Sequence, residues 1–175
     1  SQKNDQVVVL REAVLAYLQH VGRCELSDAE ADEQARLVAA TGDIENLAGA
    51  ISRELAPLAK TRKEADITPS TETAALLKRL FQTIQEAAHS ALRALIEGDE
   101  RAARTVVDSR DAILELTSEL HKRQAARLAQ GDPDRLLKHR VQIEMLDRLR
   151  RIYGIAEHMA ISVLPRSVLV GELSG

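Results

Sequence analysis

The residues able to do chemistry in this chain are few. The histidines are His20, His89, His121, His139 and His158. No two stand four apart, the spacing that sets two imidazoles on one helix face around one metal ion. They read as surface or helix-edge histidines. Asp108, Asp111 and Glu115 recur at spacings of three and four. That face would suit a hard cation, and equally a solvated acidic surface. Cys24 is the single cysteine and follows Arg23, whose charge would lower the thiol pKa. Nothing near it in sequence supplies a base. Arg148, Arg150 and Arg151 offer guanidinium groups to phosphate or to an acidic partner. The competing expectation pairs them with carboxylates of their own or neighbouring helices, such as Glu144 or Asp147 within a turn. Met145 and Met159 read as core filling. There is no phosphate loop, dinucleotide fingerprint or nucleophile elbow. The expectation is a non-catalytic chain with no cofactor.

Composition narrows the class. The chain has 175 residues, 45% of them hydrophobic, with 2% aromatic and no Trp. Leu and Ala carry the apolar load, which favours helix over strand. Charged residues make up 29%, with a formal net charge of -3 and both signs mixed. A nucleic-acid binder would show a basic face instead. One cysteine rules out an intrachain disulfide and fits a reducing compartment. No apolar run approaches the roughly 20 residues of a membrane span. The leading SQKNDQ lacks an apolar signal core. These features lead to an expectation of a soluble, cytoplasmic, all-α chain.

The chain is organised around Met145 to Leu164. There Leu146, Leu149, Tyr153, Ala156, Ala160 and Val163 form an apolar stripe at helical spacing, widened by Ile152 and Met159. Thr41 to Leu58 repeats the design with Ile44, Leu47, Ala48, Ile51, Leu55 and Leu58. An offset of about 105 pairs Ile44 with Leu149, Leu47 with Ile152, Ile51 with Ala156 and Leu58 with Val163. It also pairs Glu45 with Arg150 and Gly49 with Gly154.

Five helices are expected to position these stretches. The first covers about Asp5 to Val21, with Val7, Leu10, Val14, Leu18 and Val21 on one face and Gly22 as its stop. Ser27 and Glu30 have the form of a capping box, opening a second helix to about Lys63. Pro57 lies inside it and predicts a kink or fraying near Arg53 to Pro57. Residues 61–70 read as a linker. A third helix spans about Thr71 to Glu97 and stops at Gly98. Asp99 caps a fourth that runs to about Gln130. Gly131, Asp132 and Pro133 start the fifth, which ends near Pro165. The tail, 166–175, has no regular pattern.

Arg11 to Leu15, REAVL, matches Arg110 to Leu114, RDAIL, at an offset of about 99. The chain therefore reads as a single domain of two hairpin units, about 5–63 and about 71–165. The second unit has a preceding long helix and the first has none.

These motifs resemble the PhoU-like helical domains, which comprise two repeated three-helix bundles. The family signature is close to LERIGDHAxNIA on the third helix of each bundle. Asp43-Ile44-Glu45-Asn46-Leu47 looks like the first copy, and Leu149-Arg150-Arg151-Ile152 like the second. The LRRI form is more like the cytosolic PhoU-type region of sodium-dependent phosphate cotransporters. The resemblance spans nearly the whole chain, including AL-x-x-x-IEGDERAA around Gly98.

The resemblance implies a non-catalytic regulatory or assembly domain in phosphate uptake, on the cytosolic face of the inner membrane, partnered by the membrane part of the same transporter. A free-standing phosphate-signalling regulator is the alternative within the family. A helical adaptor or dimerisation module unrelated to phosphate is the alternative outside it. The family's metal motif is E-x-x-x-D. Here Glu45 survives, but Gly49, Arg150 and Gly154 stand at the other three positions, so no bound metal is expected. A first bundle short of one helix would show apolar surface at Leu10, Val14, Leu18, Ile44, Ile51 and Leu55. The expectation is a homodimer closed through that face.

Overall fold

The computed structural model describes the backbone of residues 2–23, 25–128 and 135–165. Among these residues every regular element is helical, and none is a strand. Helix α1 spans Gln2–Val21. Its end is fixed by Gly22, whose N–H returns to the Leu18 carbonyl at 2.9 Å. The Gln34 side-chain amide donates to the same carbonyl and presses on Gly22 so closely that a Cβ there would collide with it. Gly22 therefore sets the close approach of α1 to α2, Asp28–Gly49. The expected capping box starts α2: the Ser27 N–H donates to Glu30 Oε2 at 2.9 Å, and the Glu30 N–H donates to Ser27 Oγ at 3.4 Å.

Gly49 does not end the rod. A π-helical segment, Ala50–Leu55, continues it into α3, Ala56–Glu64. The expected kink before Pro57 takes this form. Proline has no N–H to return to the Arg53 carbonyl, so the regular ladder lapses there. The Ala56 N–H reaches back five residues to the Ile51 carbonyl. The supposed linker begins later than its polar composition suggests, because α3 runs to Glu64. Asp66 adopts a left-handed φ of 48°. The next residue, Ile67, is buried, and its carbonyl accepts from Arg62 Nε at 3.3 Å. Residues 65–70 thus form an anchored turn.

Helix α4, Thr71–Glu97, starts under Ser70, whose hydroxyl accepts from the Thr73 N–H at 3.4 Å. It stops at Gly98, where φ is +67°. Asp99 then caps α5, Glu100–Asp108, accepting from the Ala102 N–H at 3.0 Å. The single fourth helix expected from sequence is broken at Ser109, and α6 follows over Arg110–Leu128. The Ser109 N–H and hydroxyl both fall back on the Val106 carbonyl, at 3.2 and 2.7 Å. That serine competes with the helix ladder, as short hydroxylic side chains do. The chain still forms five rods, because α2, the π segment and α3 make one, and α5 and α6 make another. The Gly131, Asp132 and Pro133 turn, Cys24 and the tail 166–175 lie outside the described residues.

Helix α7, Arg135–Val163, is the axis. Its stripe is buried as expected at Leu146, Leu149, Ile152, Ala156 and Ala160. Against it lie Leu80, Ile84 and Ala91 of α4, Val106 of α5 and Leu120 of α6. Alanines at 87, 88, 91 and 94 let α4 approach α7 closely. Leu146 is fully buried, and truncating it to alanine would cost roughly 3 kcal/mol. The first hairpin joins this core through Leu47 and Ala50. No helix is long and apolar enough to cross a membrane among the described residues.

Candidate functional site

The two repeated stretches, Thr41 to Leu58 and Met145 to Leu164, face each other. Asp43 Oδ2 lies 3.2 Å from His158 Nδ1. Further along, Glu54 meets two arginines, Arg148 Nε at 3.4 Å and Arg151 Nη2 at 3.6 Å. As the number rises on the rod of α2, the π segment and α3 it falls on α7, so the two run antiparallel. Arg148 and Arg151 do pair with a carboxylate of a neighbouring helix, as expected, but the partner is Glu54 and not Glu144 or Asp147. Glu144 pairs with Arg140 at 2.9 Å. The sequence signal for Glu54 was absent, because the partner stands in another rod.

The motif residues are not gathered into one pocket. Asp43 turns to His158, and Glu45 turns to α1, where its Oε2 lies 2.7 Å from Arg11 Nε. The Arg11 N–H is not aligned with that oxygen, and Glu54 Oε2 likewise lacks an aligned donor. Both are ion pairs held by charge and distance. Gly49 is buried under the Arg53 guanidinium, whereas Arg150 and Gly154 are exposed on the outer side of α7. Glu45 and Arg150, matched by the repeat, therefore point to different surroundings. The seam is a row of carboxylates on the rod formed by α2, the π segment and α3, answered by Arg11 of α1 and by His158, Arg148 and Arg151 of α7.

A second polar cluster closes the break at Ser109. The Tyr153 hydroxyl lies 3.0 Å from the Val106 carbonyl and 3.0 Å from Glu157 Oε1. Arg110 Nε donates to the same Glu157 oxygen at 2.8 Å. Burial pushes the Tyr153 hydroxyl up to about 12, a hydrogen bond from Ser109 opposing this and the Glu157 charge adding to it. A proton held that firmly makes Tyr153 a donor at neutral pH.

No cluster of metal-ligating side chains forms among the described residues. No three His, Cys, Asp or Glu side chains converge. Asp108, Asp111 and Glu115 are exposed, as are His20, His89 and His158.

The six apolar residues expected to share one surface separate. Leu10 is 65% exposed and Ile51 is 44% exposed. Leu18 is buried, which removes it from any docking face. Val14 is half-buried, and Ile44 and Leu55 pack against the core. Sequence reasoning missed Val9, Tyr17, Leu37 and Val38, which are all exposed. On α1 the signal was present: Val9, Ala13 and Tyr17 recur at spacings of four, a second stripe beside the one facing α2.

No family model matches the chain, and no curated protein or solved structure is detectably similar to it.

Proposed function

We propose that the chain is a PhoU-like, non-catalytic regulatory or assembly domain of a sodium-dependent phosphate cotransporter, working on the cytosolic side. One observation carries this reading. The two longer stretches that carry the repeat, Thr41 to Leu58 and Met145 to Leu164, lie antiparallel against each other, with Asp43 opposite His158 and Glu54 opposite Arg148 and Arg151. A repeat whose copies pack together fits a two-unit helical domain. Exposed ion pairs of this kind are weak and exchangeable, which suits a surface that relays a state to a neighbouring membrane part. The test is transport by the full-length gene product. Vesicles containing it should take up phosphate on a sodium gradient, and charge reversal at Glu54 should change the rate. Absence of transmembrane helices encoded before Ser1 would overturn the cotransporter reading and leave the free-standing regulator.

A second reading is a helical dimerisation or adaptor module. It is favoured by Val9, Leu10 and Tyr17, three large apolar side chains exposed on one helix. Large apolar clusters on a surface mark interfaces more often than chance.

A further inference from the structure

Helices α3 and α4 stand on either side of a groove floored by α7. Met145 and Leu149, one turn apart, form the floor. Leu77, Lys78 and Phe81 of α4 form one wall, and Arg62 of α3 the other. Phe81 is the only phenylalanine in the chain, and it is 49% exposed at the rim. A second hollow shares Arg62 and Met145 and continues past Lys63 to Asp66, so the two form one slot that the Arg62–Met145 contact crosses.

The cations of this slot have no carboxylate partner among the described residues. Arg93, Arg123, Arg148 and Arg151 each hold a carboxylate within 3.6 Å. Among the described residues no carboxylate pairs with Arg62, Lys63 or Lys78. Arg62 is nonetheless held in place. Its Nε donates to the Ile67 carbonyl at 3.3 Å, and Nη1 lies 3.8 Å from Met145 Sδ. Asp66 sits at the far end of the slot, turned to Thr68 Oγ1 at 3.5 Å.

We propose that this groove docks an acidic amphipathic helix of a partner protein. The floor pair Met145 and Leu149 and the wall pair Leu77 and Phe81 each have a spacing of four. Such ridges accept apolar residues one turn apart on a third helix. Carboxylates flanking those residues meet Arg62 and Lys63 on one rim and Lys78 on the other. A basic helix would set like charges against the same rims, which selects the acidic one. The inference does not depend on the transporter reading: of the groove residues only Leu149 belongs to the short motifs, and here it serves as apolar floor.

The probe is a fluorescein-labelled peptide of about 18 residues, long enough to form helix on docking. It carries leucines one turn apart with glutamates on both flanks. A twin has lysine at every glutamate. Anisotropy with the full chain at low salt should show the acidic peptide binding about tenfold more tightly than its twin. Arg62→Glu combined with Lys78→Glu should invert that order. Phe81→Ala should weaken the acidic peptide about tenfold with the far-ultraviolet helix signal unchanged, since Phe81 is half exposed. Equal binding of the two peptides, or no binding of the acidic one, would overturn the proposal. So would an order unmoved by charge reversal. A dimer dissociated by Phe81→Ala would assign the groove to a second copy and overturn it equally.

Discussion

Tyr153 on α7 reaches the end of α5, its hydroxyl oxygen 3.0 Å from the carbonyl of Val106. This joins the helix break at Ser109 to the central helix. Tyr153→Phe keeps the ring packed and removes one buried hydrogen bond, at a cost of about 1 kcal/mol in urea unfolding. The pH dependence has a definite sign. The hydroxyl is raised to about 12 in the fold, against roughly 10 unfolded. Its contribution is therefore fully present below about pH 10 and is lost as pH rises towards 12, where the unfolded chain has already released the proton. Unfolding of Tyr17→Phe protein between those limits should show this fall in stability. The Tyr17→Phe, Tyr153→Phe double variant should lack it.

Glu54 is the carboxylate shared by Arg148 and Arg151. A double-mutant cycle on Glu54→Ala and Arg151→Ala should give a coupling of roughly 0.5 kcal/mol, because both side chains are partly solvated. Raising the salt to about 1 M should reduce it. A coupling unchanged by salt would mean that packing, and not charge, joins these residues.

Gly98 turns the chain from α4 into α5 with φ at +67°, and a Cβ placed there meets nothing within 4 Å. Gly98→Ala should therefore cost about 1 kcal/mol through backbone conformation alone. A larger loss, measured by thermal unfolding, would reveal a steric conflict that the surroundings do not suggest.

If the chain is PhoU-like, as proposed, Gly49, Arg150 and Gly154 stand where three of the four motif carboxylates would be. Purified protein should contain no stoichiometric iron, zinc or manganese, and a chelator should leave Tm unchanged. Elemental analysis finding one or more ions per chain would reverse this expectation.

Association through the first hairpin is testable at Ile51, which is exposed on the π segment. Sedimentation equilibrium at tens of micromolar should show a dimer. Ile51→Asp should dissociate it, and Ile96→Asp, at an exposed residue of α4, should not. A single species near 19.2 kDa would exclude the dimer.

The rods were legible in the sequence because their signals are local. Ser27 with Glu30, Gly98 with Asp99, and the stripe from Leu146 to Ala160 each lie within a few turns of one helix. The bounds of α4 follow from such signals alone. The Ser109 break was harder, since neither glycine nor proline marks it and a serine alone is a weak helix breaker. That the arginines pair with carboxylates of a neighbouring helix was legible, but Glu54 as the partner was not. They stand in different rods, and their meeting depends on how the rod of α2, the π segment and α3 lies against α7. The exposed stripe on α1 was readable but was overshadowed by the stripe facing α2.

The π segment also acts as a gear correction. In a regular α-helix, residues four apart precess by about 40° per step. Ala50, Glu54, Leu58 and Arg62 are spaced by four, and all are engaged on the same side: Ala50 and Leu58 with the core, Glu54 and Arg62 with groups of α7. The wider π turn absorbs the precession that would otherwise carry Leu58 and Arg62 round towards solvent. Deleting one residue between Ala50 and Leu55 would rotate everything after it by about 100°. The ion pairs at Asp43 and Glu45 would keep their phase, while the anchor of Arg62 on Ile67 and Met145 would turn away from α7.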